Sequence, residues 1–326
     1  MSRELLLLRH GEAVPMDERG DFQRALKNQG KRAAQRIAIW LAQHNLVPDH
    51  VLSSSAERAL NTARKCCKAM GVPGFKIQRR DALYLASPRV LMDELHKVPA
   101  EARRVLLVGH NPGLEQLLTS LCESPPPAPA DQRLMPTATL ARLAIPGEWQ
   151  ELQPGGSQLL GLQRAADLPA TFPFPIPGGT EQRKRPAYYY TQSSAIPYRI
   201  RDGKLEVMIV RSSSDRHWVV PKGIADPGIS PQESALKEAK EEAGIEGRIV
   251  GEALGSYEYP KWGATCSVTV YPMLVEREFP EQEWEENHRG RHWFPYEIAA
   301  MMLKQQALVP MIEALAARNA EGLCQG

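Results

Sequence analysis

The stretch Glu4-Leu5-Leu6-Leu7-Leu8-Arg9-His10-Gly11 decides the fold of the first part of this chain. Four successive leucines show no alternation of polar and apolar faces, as expected of a strand buried on both sides. The apolar run is too short for a secretory leader or a membrane span, and Arg9 and His10 end it at once. Working outward, the same order recurs. A helical period runs from Asn28 to Gln43 through Ala33, Ala34, Ile37, Ile39, Trp40 and Leu41. Val51-Leu52 reads as a strand and Ala56 to Met70 as a helix, then Val105-Leu106-Leu107-Val108 as a strand and Leu114 to Cys122 as a helix. Strand-then-helix repetition with wholly apolar strands predicts an α/β unit, its mostly parallel sheet flanked by helices. His10, Arg58 and His110 then fall just past the carboxyl ends of strands, where open α/β sheets bind ligands.

Composition changes after that unit. Ser124 to Ala130 is proline-rich and reads as a loop, while Thr137 to Ala144 and Glu148 to Leu152 read as a closing hairpin. Leu168 to Gly179, with Pro169, Pro173, Pro175 and Pro177, reads as an extended linker with no room for helix. Beyond it, Ala195 to Tyr198 and Leu205 to Val210 predict strands around the turn Asp202-Gly203, with Trp218 to Val220 another. Ser230-Pro231-Gln232-Glu233 is a helix start with a capping box, and Gly244 is its stop. Strands near Cys266 to Val275 and a helix from Glu297 to Ala317 complete an α+β unit. The expected organisation is residues 1–165, a Pro-rich linker over 166–185, and residues 186–326.

Apolar residues at 43% and charged residues at 24% are globular values, and a net charge of +2 excludes bulk nucleic-acid binding as an expectation. The five scattered cysteines give neither a disulfide framework nor a zinc spacing, which favours a reducing, cytoplasmic setting.

Transfer of a phosphoryl group needs fixed cations and an in-line nucleophile. An unperturbed imidazole, with a pKa of about 6.5, is nucleophilic at neutral pH, and Arg9 beside His10 offers a planar fork of donors. The combination of Arg9-His10-Gly11, the segment Ser54 to Ala63 carrying Arg58, and Gly109-His110-Asn111-Pro112 resembles the histidine phosphatase superfamily, and its short length is similar to the SixA branch that acts on phosphohistidine. The resemblance implies His10 as nucleophile, no cofactor, and Arg9, Arg58 and His110 around the phosphate. Arg24 matches a further arginine of the family. Asn111 stands where the acid-phosphatase branch carries an aspartate proton donor. A substrate that is easily cleaved, such as phosphohistidine, is therefore favoured over a poor alkoxide leaving group.

In the second part, Glu238, Glu241 and Glu242 occupy i, i+3 and i+4 of the predicted helix and share one face. Like charges at that density call for a cation, and oxygen-only donors suit Mg²⁺ or Mn²⁺. Pro221-Lys222-Gly223 ahead of them forms a loop able to turn a carbonyl toward the same ion. This segment resembles the Nudix box, which implies Glu238 and Glu242, with Gly223, as metal ligands and Glu241 as the base. Two positions depart from the pattern: Lys237 stands for arginine and Ile229 for the first glutamate. In the family these two residues form a structural pair, so a buried Ile229 is expected to brace the loop by packing instead. Pro-Lys-Gly and the Arg289 to Phe294 ending are most similar to the diphosphoinositol and diadenosine polyphosphate branch, which implies Lys222, Arg199, Arg211 and Arg291 as phosphate contacts. Tyr257, Tyr259 and Trp262 are open to two readings, base stacking or aromatic packing.

The expected protein is a bifunctional phosphate hydrolase: a SixA-like phosphatase joined to an α+β Nudix sandwich that cleaves a phosphoanhydride. Its partners would be phosphorylated small molecules or a phosphohistidine protein, with no nucleic-acid polymer and no membrane. The alternative is a phosphohistidine protein phosphatase whose Nudix domain senses a nucleotide without cleaving it.

Overall fold

The computed structural model describes residues 3–72, 76–127 and 131–323, the side chains of 321–323 excepted. The chain divides into two compact units, 1–172 and 173–326.

In the first unit, β1 (Arg3–Arg9), α1 (Asn28–Gln43), β2 (His50–Ser54), α2 (Glu57–Met70), β3 (Ile77–Arg80), α3 (Pro88–Leu95), β4 (Arg104–Gly109), α4 (Gly113–Leu121), β5 (Thr139–Ile145) and β6 (Gln158–Arg164) follow in order. The sheet runs β3-β2-β4-β1-β5-β6. β1, β2, β3 and β4 are parallel, and β5 and β6 add an antiparallel edge. Leu5 and Leu7 enter one core and Leu6 and Leu8 the other. The unbroken leucine run is thus explained by helices on both faces. Cys66 and Cys67 are buried apolar members of the second core.

Three local expectations differ from the structure. Trp149–Glu151 is a 3-10 turn that buries Trp149 and sends its indole N–H to the carbonyl of Ala102, so the closing strand is β6 instead. α3 was not apparent as a helix, although Ser87 caps it and Pro88 opens it. Residues 128–130 of the expected Ser124 to Ala130 loop lie outside the described residues. Between the sheets, the linker stretch is extended as expected, but it pairs as a hairpin of β7 (Phe172–Ile176) and β8 (Gly179–Arg183). The guanidinium of Arg183 lies over the rings of Phe174 and Tyr190.

The second unit contains β9 (Thr191–Arg201), β10 (Lys204–Arg211), β11 (Trp218–Val219), β12 (Lys222–Ile224), α5 (Pro231–Ala243), β13 (Ile245–Ile249), β14 (Gly255–Lys261), β15 (Ala264–Glu278), β16 (Arg291–Pro295), α6 (Tyr296–Met302) and α7 (Val309–Leu323). All its strands join one mixed sheet. α5 covers one face through Ala235, Ala239 and Ala243, and α6 and α7 cover the other through Ala299, Ile312 and Leu315. The capping box of Ser230 and Glu233 is formed, and Gly244 ends α5 in the left-handed region at φ 61°. The single helix expected over 297–317 is two helices. Leu303 and Leu308 are buried in the intervening turn, and Pro310 falls in the first turn of the second helix, where its missing N–H is tolerated. No helix among the described residues is long and apolar enough to cross a membrane.

Gly11 and Gly30 let the loop after β1 pass directly over the start of α1. A Cβ on Gly30 would sit 2.3 Å from the carbonyl oxygen of Glu12. Gly30→Ala is therefore expected to destabilise the first unit by about 1–3 kcal/mol through overpacking, read as a lowered denaturant midpoint. An unchanged midpoint would show that the loop can move aside freely.

Candidate active sites

The ends of the parallel strands bring His10, Arg58 and His110 together. His10 follows β1, and its Nδ1 lies 2.7 Å from its neighbour's carbonyl at Gly11. That contact makes Nδ1 the protonated nitrogen and leaves the Nε2 lone pair for attack. Arg58, in the first turn of α2, donates its Nε–H to this Nε2 at 3.3 Å, a contact that an incoming phosphate would have to take over. His110 follows β4, directs Nε2 to the Ser54 hydroxyl at 2.9 Å, and holds its ring 5.1 Å from that of His10 at a tilt of 57°. Arg9 donates through Nη1 to the Met135 carbonyl at 2.8 Å. Its Nε and the Nδ1 of His110 are buried without a hydrogen-bond partner. Buried polar nitrogens left in this condition suit a cage that receives an anion. Arg24 reaches the same neighbourhood through Asp21.

Burial, with the charges of Arg58, Arg9 and Arg24, pushes His10 down to about 4. Burial, then His10 and Arg58, pushes His110 down to about 3. Both imidazoles are neutral at physiological pH, the state in which His10 is nucleophilic.

Sequence reasoning missed two members of the cage. Asp21 accepts from Arg58 Nη2 at 2.7 Å, from Arg24 Nη1 at 2.9 Å and from the Tyr84 hydroxyl at 2.7 Å. Burial acts to raise the Asp21 carboxyl, but these donors outweigh it and hold the group well below the usual carboxylate range. The spacing of Asp21 and Arg24 was visible; their partners 37 and 63 residues away were not. Glu12 is paired with Lys27 at the surface, and the Asn111 amide donates to the Met135 carbonyl. Neither is placed as an acid.

In the second unit, β12 lies beside α5, and Gly223 is the closest approach. A Cβ there would lie 2.0 Å from the carboxyl carbon of Glu238. Only glycine leaves room for that carboxylate. The Lys222 amide donates to Glu242 at 3.0 Å. Burial, then Glu242 and Glu241, pushes Glu238 up to about 7. Burial also raises Glu241 and Glu242. Arg289, not singled out in the sequence, pairs with Glu242 at 2.8 Å with both side chains nearly buried. The carboxylates are not gathered into a ready group of three metal donors among the described residues.

The expected phosphate contacts scatter. Lys222 is adjacent, its Nζ 5.0 Å from the Tyr259 ring centroid. It lines a cleft of about 280 Å³ with Ser212, Ser214, His217, Tyr257 and Lys304. Arg199 lies six residues along β9 from the partner of Gly223, roughly 20 Å away at about 3.3 Å per residue. There it pairs with Glu206 and stacks on Trp293. Arg211 stacks on Trp218. Arg291 donates to the carbonyls of Ala243, Gly244 and Phe279, so it caps the end of α5 rather than facing a ligand. Arg199 and Arg291 are thus corrected by packing the sequence could not show, while Arg211 directly precedes Ser212 of the cleft. Trp262 packs against Tyr189 and Tyr190, which favours the packing reading for it, whereas Tyr257 and Tyr259 line the cleft beside Lys222.

Ile229 is also corrected: it is 36% exposed. The brace between loop and helix is ionic after all, because Lys237 bonds Asp226 at 2.7 Å. A carboxylate three residues before Ile229 does the work expected of position 229.

Residues 191–315 match the NUDIX domain family, and residues 5–83 match the histidine phosphatase superfamily (branch 1). The chain therefore joins a histidine phosphatase domain to a NUDIX domain, and both families are hydrolytic enzymes. An uncharacterized protein of Mycobacterium tuberculosis is 30% identical over 158 residues, 47% of this chain and 97% of its own length. Human diphosphoinositol polyphosphate phosphohydrolase 3-alpha is 36% identical over 107 residues, 30% of this chain and 60% of its own. Among solved structures, a C. elegans Ap4A hydrolase aligns at 24% identity and a TM-score of 0.34, over 39% of this chain and 96% of its own. The histidine phosphatase SixA complexed with tungstate aligns at 21% and 0.43, over 50% and 98%.

Two outcomes are expected. Nitrogen-15 NMR of labelled histidine will show His10 neutral at pH 6 and protonating only near about 4, whereas a midpoint near 6.5 would contradict its burial. Ile229→Glu will change stability by no more than about 0.5 kcal/mol, as an exposed position should, while Asp226→Asn will cost about 0.5–1 kcal/mol by breaking the brace; a larger loss at Ile229 than at Asp226 would reverse this assignment.

Proposed function

We propose that the chain holds two independent phosphate-cleaving centres. In the first, His10 Nε2 attacks phosphorus, and the new N–P bond forms as the bond to the leaving group breaks. Water then cleaves that N–P bond, releasing inorganic phosphate and restoring neutral His10. Arg9, Arg24, Arg58 and His110 hold the phosphate oxygens. The observation that carries this reading is the His10 ring, fixed through Nδ1 with Nε2 facing Arg58. Among the described residues of the cage the carboxyl present is Asp21, which its three donors hold ionised and so unable to protonate a departing alkoxide. Phosphohistidine or another phosphoramidate, whose nitrogen leaving group departs readily, is the preferred substrate class.

In the second centre, Glu238, Glu242 and the Gly223 carbonyl would hold Mg²⁺ or Mn²⁺. The fit rests on hard oxygen donors, the carboxylate folded into the space at Gly223, and the burial that, with Glu242 and Glu241 nearby, raises Glu238. When bound, such an ion neutralises pyrophosphate oxygens and lowers the pKa of water. Glu241, three residues on from Glu238 in the same helix, would take a proton from water. Lys222, Lys304 and the serine hydroxyls of the adjacent cleft would bind the remaining phosphates. Tyr257 and Tyr259 line this cleft beside Lys222 and Lys304, so it offers aromatic faces as well as cations, and the phosphoanhydride of a nucleoside polyphosphate or of a diphosphoinositol-type compound suits its chemistry. One observation favours a sensing, non-catalytic second domain: Arg289 already neutralises Glu242.

Substitutions should separate the centres. His10→Ala is expected to abolish phosphatase turnover and spare Mg²⁺-dependent cleavage of a phosphoanhydride. Glu238→Gln should do the reverse, lowering the second activity by about 100-fold or more, about 2.7 kcal/mol of barrier. EDTA should stop only the second. Wild type inert toward diphosphoinositol and nucleoside polyphosphates alike, with and without metal, would establish the sensing alternative.

A further inference from the structure

Asp21 is a carboxylate inside a cage built to receive an anion, and electrostatics alone gives it no place there. Its contacts supply the reason. One oxygen takes Arg24 Nη1, and the other takes both Arg58 Nη2 and the Tyr84 hydroxyl. The Asp21 backbone carbonyl also accepts from Arg58 Nη1. Arg58 is thereby gripped at both terminal nitrogens, which fixes the plane of its guanidinium and sets its Nε against His10 Nε2. Tyr84 is itself wedged, edge-on to the Phe22 ring at 5.0 Å and to the His110 ring at 5.5 Å. The carboxylate therefore ties Arg24, Arg58 and the ring beside His110 into one unit.

We propose that Asp21 is a positioning residue of the phosphatase centre: it aims Arg58 and Arg24 at the phosphoryl group in flight, at the expense of ground-state phosphate binding. The proposal rests on the reading of His10 as nucleophile. It has an unusual signature. A fixed negative charge opposes the bound phosphate, so removing it strengthens binding. The same removal frees the two arginine forks, so it slows the transfer that depends on their alignment. Loss of a merely structural residue lowers the amount of folded enzyme and moves neither ratio in this way.

The test uses the full chain with p-nitrophenyl phosphate as substrate and inorganic phosphate as competitive inhibitor. Asp21→Asn, nearly isosteric, is expected to lower kcat by about tenfold or more while the inhibition constant for phosphate falls by roughly threefold or more. Tyr84→Phe removes one donor and keeps the charge, so kcat should fall by a smaller factor with phosphate inhibition unchanged; it carries the test if Asp21→Asn does not fold. An Asp21→Asn enzyme with unchanged kcat, or with phosphate binding weakened in step with kcat, would overturn the proposal. Wild type without turnover dependent on His10 would instead overturn the phosphatase reading on which it stands.

Discussion

Strand β1 is covered on both faces, and the position of every group in the first centre depends on that burial. Alternate leucines enter opposite cores with no exposed surface. A slip of one residue would move each into the other core and carry Arg9 and His10 with it. The backbone is therefore fixed at the point where the chain leaves the sheet. His10 inherits that rigidity through the contact of its Nδ1 with Gly11. The arginines arrive on separate elements and need a different kind of restraint, because long side chains at a crevice lose considerable rotamer freedom when ordered. Asp21 supplies it for two of them.

The second unit solves a related problem with opposite charge. α5 carries its carboxylates along one face because helix periodicity puts residues three and four apart together. Small residues alongside them, Ala235, Ala239 and Ala243, let the helix lie close to the sheet. That close approach is why Gly223 has no room for a side chain and why Glu238 is desolvated. Packing and electrostatics are thus one constraint here: drawing the helix in to bury its alanines also takes the adjoining carboxylates out of water.

Much of this was legible in the sequence, and the failures share a cause. Periodicity gave α1 and α5 with their ends, and motif spacing placed His10, Arg58 and His110 at strand ends. What could not be read were pairings between distant residues. Arg291 and Arg289 sit two positions apart, yet one caps α5 through backbone carbonyls and the other faces Glu242. Nothing in their local sequence distinguishes them. Ile229 misled for the same reason: the gap in the motif was filled by Asp226, a residue whose side chain meets Lys237 only once the loop has folded. A local pattern specifies which residue types are present on an element, and the partner each one finds is a tertiary fact.

The two centres are electrostatic opposites, and each is incomplete in the sense its chemistry requires. The first collects arginines and keeps its imidazoles neutral by burial, so an incoming phosphate meets unpartnered buried nitrogens and an uncharged nucleophile. The second collects carboxylates and raises Glu238 until proton and metal compete for it near neutral pH. In the first the ligand brings the negative charge, so an internal carboxylate is tolerable only where it aligns the cations. In the proposed second centre the ligand's charge would match that of the site, so a cation would have to enter before a pyrophosphate could. Arg289, paired with Glu242 at 2.8 Å, supplies the positive charge that this carboxylate requires when buried.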